Sequence, residues 1–479
     1  MWAAEAANAP QYETLYFQQP CDHTNFAVDA PTFQQRYLSN ASFLSSDGGG
    51  VLMYVGNEAD VEDFAASAGY VWTLAEELGA AVVFAEHRGY GESATATATT
   101  TDPTAGSACG DGFAHISATA ALADFASLGR YLQSKHGRRV VALGGSYGGM
   151  LAAWARARYP STFAGAVASS APVALDSQCP ANDTYARLSA NYPCASEVGE
   201  AFRSLRAAAQ KDPAGLAETL SLCAPLDDDD QGGDTTTTTT DALIGTFQQA
   251  FMTMAQANFP YAVDPLPANP AAAACEAFAE AAPSPQVEQL AAAVAVVPSL
   301  DPARSPGGCL NVTATTFEET LPGMLPGAWG FQRCSDMLIR FEASEESAPI
   351  FLPCSEYAPN CWGGGERFAH FCRGAYGVDP LLRGGEAGVT AFGGRDLGAL
   401  SEVVFTNGAL DPWGAGGVGP RDAAAARAGS GVVALPDEPG AAHHLDLRAP
   451  NAADPPGVVA ARELIAEHTA RWLRGGHVQ

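Results

Sequence analysis

The stretch "RRVVALGGSYGGMLAAWARARYP" (138–160) decides the fold that we expect for this chain. The apolar run "VVAL" predicts a buried strand, and "MLAAWARA" predicts a helix that follows it closely. Between them lies the pattern Gly144-x-Ser146-x-Gly148. Glycines at these positions permit a strained turn that lifts the serine hydroxyl above the end of a sheet. The stretch therefore predicts a nucleophile elbow, with Ser146 as the candidate nucleophile.

The segments around this elbow alternate between strand and helix patterns. Short apolar runs predict strands within 50–60, 80–93 and 163–173, and helical patterns lie between them, including one at 63–79. Strands that alternate with helices indicate a parallel sheet covered by helices on both faces. We therefore predict an α/β fold for the first part of the chain.

The middle of the chain has a different pattern. It contains alanine-rich helical stretches, most of the cysteines and the run "DDDDQGGDTTTTTT" (227–240), which is more typical of a solvated loop than of a calcium site. Strand patterns return within 401–413 and 431–447, and an amphipathic helix closes the chain. The predicted units are a first core part at 16–175, a mainly helical insertion at 176–394 and a second core part at 395–475.

Composition and charge exclude several classes of protein. The chain has 479 residues, of which 47% are hydrophobic and 16% charged, so it can bury a large core. Its formal net charge of -28 argues against nucleic acid and anionic membrane as partners. No stretch is long and apolar enough for a transmembrane helix. The first ten residues, "MWAAEAANAP", show neither the basic nor the apolar region of a signal peptide.

Cysteines and sequons indicate an oxidising, secretory route. The chain has 11 cysteines and three N-x-S/T sequons, at Asn40, Asn182 and Asn311. No C-x-x-C pair occurs, which argues against a zinc ribbon or a thioredoxin-type site. The odd cysteine count leaves at least one thiol unpaired within the chain. The nine histidines show no H-x-x-x-H or H-E-x-x-H spacing, so we expect no metal site.

A nucleophilic serine needs a base and an acid that orients the base. In α/β-hydrolases these follow the serine in the order acid, then histidine. Asp411 comes after the strand pattern "EVVFTNG", and His443 and His444 come after "GVVAL". Both positions lie where loops leave the carboxyl edge of a sheet, although an aspartate before proline is also a common turn residue. The pattern predicts a triad of Ser146, Asp411 and one of the two histidines.

The oxyanion of an acyl-transfer reaction needs two hydrogen-bond donors. One is the backbone N–H of the residue after the nucleophile, here Tyr147. The second comes from the loop after an early strand, and "YVGNEAD" (54–60) offers Gly56 or Asn57. An ordinary turn that ends the strand explains this loop equally well.

Nine stretches of the sequence are typical of one family. They are "YFQQ", "QRYL", "YVGNEAD", "VVFAEHRGYGES", "ALADFASL", "GGSYGGMLAAW", "RYPSTFAGAVASSAPV", "NGALDPWGAGG" and "GAAHHLDLR". The chain resembles the serine peptidases that include lysosomal Pro-X carboxypeptidase and dipeptidyl peptidase II. The resemblance implies an α/β-hydrolase core with a mostly parallel sheet and a large helical insertion that caps the active site. It also implies a serine exopeptidase that needs no cofactor and cleaves small peptides at prolyl bonds.

Matched residue by residue, the resemblance implies a role for each candidate. It makes Ser146 the nucleophile, Asp411 the orienting acid and His443 the base. We expect His444 to point elsewhere, and our own hypothesis is that it makes supporting contacts with Arg448.

The resemblance also implies a proline pocket and three disulfides. Met150 and Trp413 match positions that line the pocket, and thioether and indole surfaces suit a flat, apolar pyrrolidine ring. The expected disulfides are Cys194–Cys275, Cys223–Cys309 and Cys334–Cys372. The resemblance assigns no partner to the remaining cysteines, Cys21, Cys109, Cys179, Cys354 and Cys361.

Which end of the peptide is removed stays open. "CLNVT" and the short link to "GAWGFQRC" look more like the carboxypeptidase, whereas "PLPANP" and "LRAPNAADPPGVVAAR" look more like the dipeptidyl peptidase. We expect the carboxypeptidase. The alternatives are removal of N-terminal X-Pro dipeptides and a non-peptidase esterase on the same core. The resemblance further implies a lysosomal, vacuolar or extracellular location, and the expected oligomer, if one forms, is a homodimer.

Overall fold

One eight-stranded sheet carries the core. The computed structural model describes residues 11–46, 49–93, 109, 113, 115–174, 181–227, 238–305, 307–312, 328–337, 341–342, 349–353, 361–362, 366–379 and 392–475. The strands of the main sheet are β1 (Glu13–Pro20), β2 (Thr32–Asn40), β3 (Val51–Val55), β4 (Ala81–Ala85), β5 (Val140–Gly145), β6 (Phe163–Ser169), β11 (Val403–Thr406) and β12 (Val432–Ala434). Two small two-stranded sheets pair β7 (Leu226–Asp227) with β8 (Thr238–Thr239), and β9 (Phe341–Glu342) with β10 (Cys361–Trp362).

The strand order confirms the predicted fold class. The order is β1-β2-β4-β3-β5-β6-β11-β12, with β2 antiparallel to both of its neighbours and every later pair parallel. This mostly parallel sheet, with a strand–serine–helix turn at its centre, is the α/β-hydrolase fold. Parallel strands place their carboxyl ends at one edge, so the loops after β3, β5, β11 and β12 can meet there.

Helices cover both faces of the sheet. The core helices are α1 (Val61–Ser67), α2 (Gly69–Leu78), α3 (Ala118–His136), α4 (Tyr147–Arg158), α13 (Pro420–Ala425) and α14 (Pro456–Arg474). Strand side chains alternate between the faces, as the pleat requires. Met53 of β3 packs with α3 and α4, whereas its neighbours Leu52 and Tyr54 pack with α1, α2 and α14. Burial on both faces explains why these strands are continuous apolar runs.

The insertion adds no strand to the main sheet within the described part of the chain. Its helices are α5 (Ala181–Ser189), α6 (Ala195–Lys211), α7 (Pro213–Thr219), α8 (Thr240–Gln256), α9 (Pro270–Glu280), α10 (Gln286–Val294), α11 (Ala328–Ser335) and α12 (Glu366–Tyr376). Helices α5 to α10 bury an apolar cluster that includes Phe202 and Phe251, and this cluster extends to Ala441 and Ala442 beside the paired histidines. The insertion therefore packs directly on the histidine loop. The division at 16–175, 176–394 and 395–475 stays a prediction.

Two local predictions need correction. The helix predicted over 63–79 is two helices, because Ala68 leaves the helical region with φ -89° and ψ 54°. Gly69 then starts α2, and a Cβ there would lie 2.6 Å from that of Ala449, so the close approach of the two segments requires glycine. Of the run at 227–240, residues 228–237 lie outside the described residues, while Thr238–Thr239 form a short strand and Thr240 begins α8, rather than a loop.

Candidate active site

The elbow at the end of β5 has the strained geometry that its sequence predicts. β5 ends at Gly145 and α4 begins at Tyr147, so Ser146 alone makes the turn. Its φ of 57° and ψ of -127° lie in a region that L-residues rarely adopt. A Cβ on Gly144 would lie 2.1 Å from the carbonyl oxygen of Gly148, so only glycine fits there. The serine is thereby held at the carboxyl edge of the sheet.

Asp411 and His443 are in contact. Asp411 follows β11 and is fully buried, and its Oδ1 lies 2.9 Å from Nδ1 of His443. The same oxygen accepts a 2.9 Å hydrogen bond from the backbone N–H of Trp413, which fixes the carboxylate in its loop. An ionised carboxylate can only accept, so Nδ1 of His443 carries the proton and Nε2 presents its lone pair. This is the tautomer that a general base requires.

The lone pair of His443 is unengaged. Nε2 is buried and makes no hydrogen bond within the described part of the chain, so the structure does not show the contact with Ser146 Oγ that proton transfer needs. The histidine loop nevertheless lies against the elbow. A Cβ built on Gly145 would come within 3.1 Å of the His444 ring, and the two histidine rings are 4.5 Å apart. Catalytic hydrogen bonds are often long or poorly aligned in sites without substrate.

His444 has a different environment from His443. Its backbone adopts φ 38°, and its N–H donates to Ser170 Oγ at 2.8 Å. Burial holds the pKa of the His444 imidazole well below its usual range, and His443 and Arg448 lower that pKa further. His444 therefore stays neutral, and Arg448, predicted as its supporting partner, acts on it electrostatically while its guanidinium lies 5.1 Å from the ring centre of Phe259.

The structure separates the two candidates for the second oxyanion donor. The N–H of Gly56 donates to the carbonyl of Ala85 at 2.8 Å, so Gly56 is the wrong candidate. Asn57 is buried, and no acceptor for its N–H lies among the described residues. Its side chain is fixed against the elbow, because a Cβ on Gly148 would lie 2.9 Å from Asn57 Oδ1. Tyr147, the first residue of α4, has no intrahelical acceptor for its N–H. Asn57 and Tyr147 remain the candidates for the donor pair.

The two predicted pocket residues have different surroundings. Trp413 is half-buried, its ring centre lies 6.5 Å from that of His443, and its Nε1 donates to Gln256 of α8 at 3.0 Å. The carbonyl of Gln256 also accepts from the His443 N–H at 3.2 Å. Met150, in the first turn of α4, is 5% exposed and packs in the core. Trp413 thus lies beside His443, and Met150 lies one turn beyond Ser146 in α4.

Glu58 is an ionisable neighbour of His443 that was not predicted from the sequence. Burial raises the pKa of its carboxyl, while Asn57 and His443 act to lower that pKa. Its Oε2 is buried and unpaired within the described part of the chain. The only hint in the sequence was that Glu58 directly follows Asn57, a predicted oxyanion donor.

All three expected disulfides are formed in the structure. They are Cys194–Cys275, Cys223–Cys309 and Cys334–Cys372. A fourth joins Cys21 to Cys109, which the sequence could not pair. Cys179 and Cys354 lie outside the described residues, as does the side chain of Cys361. Among the sequons, Asn311 is exposed and Asn40 is half-buried, and the side chain of Asn182 lies outside the described residues.

The described ranges contain neither a metal-binding cluster nor a membrane-spanning helix. Within them, no cluster of histidine, cysteine and acidic side chains is arranged to hold a metal ion. Likewise, no helix in these ranges has the length and apolar character needed to cross a bilayer.

Comparison with known proteins identifies the family. The profile of the family described as serine carboxypeptidase S28 matches residues 19–465. Lysosomal Pro-X carboxypeptidase of Mus musculus is 34% identical, with 98% of this chain and 91% of that protein covered. The Homo sapiens protein of the same name is 31% identical over 98% and 90%. Thymus-specific serine protease of Mus musculus is 27% identical over 96% and 87%. This chain therefore belongs to the serine carboxypeptidase S28 family and is a serine-type exopeptidase that acts on peptides.

Proposed function

We propose that this exopeptidase is a Pro-X carboxypeptidase, which releases the last residue of a peptide when proline precedes it. The observation that carries the mechanism is the 2.9 Å contact between Asp411 and His443, with Nε2 of the histidine unengaged beside the elbow. The specificity is supported by the lysosomal Pro-X carboxypeptidases, to which the chain is similar over 98% of its length.

The proposed reaction proceeds through an acyl-enzyme. Ser146 Oγ attacks the carbonyl carbon of the proline residue while His443 Nε2 takes the hydroxyl proton. The carbonyl oxygen becomes an oxyanion, which accepts hydrogen bonds from the N–H groups of Tyr147 and Asn57. His443 returns the proton to the leaving amine, and the C–N bond breaks. Water then attacks the ester, again through His443, and releases the peptide that ends in proline.

Asp411 supports both half-reactions. The carboxylate holds the His443 ring in the Nδ1–H tautomer and stabilises the imidazolium that forms after proton transfer. Because both groups are buried, the attraction between them is screened little by solvent.

Trp413 is the side chain best placed to contact proline. It is half-buried and lies close to the base, and an indole face suits a pyrrolidine ring. Met150 packs in the core and thereby fixes the first turn of α4.

We also propose a secretory route that ends in the lysosome, the vacuole or the extracellular space. Four disulfides require an oxidising compartment during folding. The net charge of -28 is tolerated better at acid pH, where carboxylates are partly neutralised.

Two matched peptides test the proposed specificity with purified protein in mildly acidic buffer. One has a blocked amine and ends in Pro-Phe, and the other has a free amine followed by Ala-Pro and a reporter amide. We expect cleavage of the first peptide only. Ser146→Ala is the control for contaminating peptidases and should retain less than about a thousandth of the activity.

Each outcome has a distinct meaning. Cleavage of the second peptide alone replaces the proposal with a dipeptidyl peptidase. Cleavage of neither, with turnover of a simple ester, removes the proline specificity and leaves an esterase. Undiminished activity in Ser146→Ala contradicts the elbow serine as nucleophile.

A further inference from the structure

A chain of four buried polar side chains runs behind the elbow. Gln332 Nε2 lies 3.0 Å from the Tyr147 hydroxyl, and the same hydroxyl lies 3.1 Å from Nε2 of His87. At the two ends, Tyr90 donates its hydroxyl proton to Gln332 Oε1, and Nδ1 of His87 lies 2.6 Å from the backbone carbonyl of Arg88. Tyr147 is 2% exposed, and Gln332, His87 and Tyr90 have no exposed surface.

Only one arrangement of protons satisfies every atom of this chain. The Arg88 carbonyl can only accept, so Nδ1 of His87 carries the hydrogen and its Nε2 accepts. Gln332 Nε2 can only donate, so the Tyr147 hydroxyl accepts from it and donates its own proton to His87. Burial lowers the pKa of His87 to about 4 and raises the pKa of the Tyr147 hydroxyl well above its usual value, so both remain neutral. The Tyr147 side chain is therefore held from both sides.

The four hydrogen-bonded side chains come from separate parts of the sequence and meet at Tyr147. His87 and Tyr90 follow β4, Tyr147 begins α4, and Gln332 belongs to α11 of the insertion. The ring of Trp329, also in α11, packs 5.3 Å from the Tyr147 ring. The side chain of Tyr147 is thus locked between the core and the insertion, while its backbone N–H is the proposed oxyanion donor.

We propose that Gln332 and His87 are positioning residues for the oxyanion hole, which they maintain by fixing Tyr147. This inference rests on the acyl-transfer chemistry proposed above but not on its proline specificity. A donor displaced by about 1 Å loses much of its preference for the transition state, and a loss of about 100-fold in rate is typical of such misplacement. Substrate binding in the ground state does not use this donor, so KM is little affected.

The test compares Gln332→Met, Tyr147→Phe and the control Ser335→Ala. Methionine keeps the shape of glutamine but cannot donate, and phenylalanine removes the shared hydroxyl. Ser335 lies on the same helix as Gln332. Its hydroxyl donates to the carbonyl of Phe331, and it is not one of the four hydrogen-bonded side chains. We expect kcat to fall about 10- to 100-fold in the first two variants, with KM within about threefold of wild type, and no change in the control.

A second readout separates positioning from a general structural effect. A peptide ending in prolinal forms a hemiacetal with Ser146, whose oxygen occupies the oxyanion hole. Its affinity should fall in Gln332→Met and Tyr147→Phe by the same factor as kcat/KM. The affinity of the product peptide ending in proline should stay within about twofold. Thermal melting and titration of Ser146 with a phosphonate inhibitor establish that each variant is folded.

Two further variants test the connection itself. The kcat of the double variant Tyr147→Phe with Gln332→Met should lie within about twofold of the kcat of the slower single variant. Both substitutions act through one hydroxyl, so their effects should not add. His87→Gln keeps an acceptor near the position of Nε2 and should retain more activity than His87→Leu.

Several results would overturn the proposal. The proposal fails if aldehyde and product affinity fall equally, or if kcat is unchanged in Tyr147→Phe. It also fails if the effects of the two substitutions add in the double variant. If one variant fails to fold, the comparison rests on the others. Tyr147→Phe by itself must show both the lower kcat and the lower affinity for the aldehyde. If wild type cleaves no substrate or Ser146→Ala stays active, the proposed function fails instead.

Discussion

Glu438 gives a prediction about how stability depends on pH. It lies between β12 and the histidine loop and is 5% exposed, and its Oε1 makes no hydrogen bond within the described part of the chain. Burial, and then the nearby charge of Asp446, raises the pKa of the Glu438 carboxyl to about 9, although Arg462 acts in the opposite direction. In the unfolded chain the carboxyl has an ordinary pKa of about 4.5. The folded state therefore binds this proton more tightly than the unfolded state does.

The sign of the effect follows from that difference. A raised carboxyl pKa means that stability is greatest below the unfolded pKa and is lost as pH rises towards the folded pKa. Each pH unit in this window costs about 1.4 kcal/mol of unfolding free energy from this one group. From pH 5.5 to 7.5 the loss from Glu438 is about 3 kcal/mol. Glu438→Gln is neutral at every pH and lacks this term, so it should be the more stable protein at pH 7.5.

Urea unfolding followed by tryptophan fluorescence measures the effect. The unfolding free energies of wild type and Glu438→Gln are compared at pH 5.5 and 7.5, and Glu463→Gln, an exposed position on α14, is the control. Taking the difference between proteins cancels the other titrating groups. We expect Glu438→Gln to lose less stability than wild type by about 3 kcal/mol, and the control to behave as wild type. A difference below about 0.5 kcal/mol would refute a protonated, buried Glu438.

Three other predictions concern the triad and the fourth disulfide. His443→Ala should reduce kcat/KM as severely as loss of the serine, whereas His444→Ala should cost less than about 100-fold, and the reverse ranking in peptide cleavage would contradict the assignment. Asp411→Asn should fold normally but reduce kcat by about ten-thousandfold, because the amide favours the wrong tautomer of His443. If this variant and wild type have the same kcat, the 2.9 Å contact between Asp411 and His443 has no role in catalysis. Non-reducing peptide mapping should join Cys21 to Cys109, and replacing both by serine should lower the unfolding free energy by about 2–5 kcal/mol; free thiols at these positions would contradict the pairing.

The sequence predicted those parts of the structure that depend on local patterns. The strand, glycines and helix around Ser146 are adjacent in the chain, so the elbow could be read directly. Asp411 and His443 could be placed because each follows a strand that ends at the same sheet edge. The family resemblance supplied what local patterns could not, namely which histidine to choose and which cysteines to pair.

Features that depend on long-range packing were not predicted. β1 and β2 could not be predicted as strands, because many of their residues are polar and β1, at the sheet edge, is largely exposed. Gly56 and Asn57 could not be separated without the hydrogen bond that Gly56 makes to β4. The contact of Gln332 with Tyr147 joins residues 185 positions apart, and no spacing rule connects them.

The position of β11 and β12 in the sheet has a consequence for biosynthesis. These strands are made after the entire insertion, yet β11 pairs with β6 and supplies the loop that carries Asp411. A nascent chain that has emerged only as far as α12 has the serine but neither the acid nor the base, and β6 presents an unpaired edge. Hydrolysis by the proposed triad therefore has to wait until translation is almost finished. Until β11 is made, β6 lacks the neighbour that covers its edge in the folded protein, so this edge is open to pairing with other chains during the same interval.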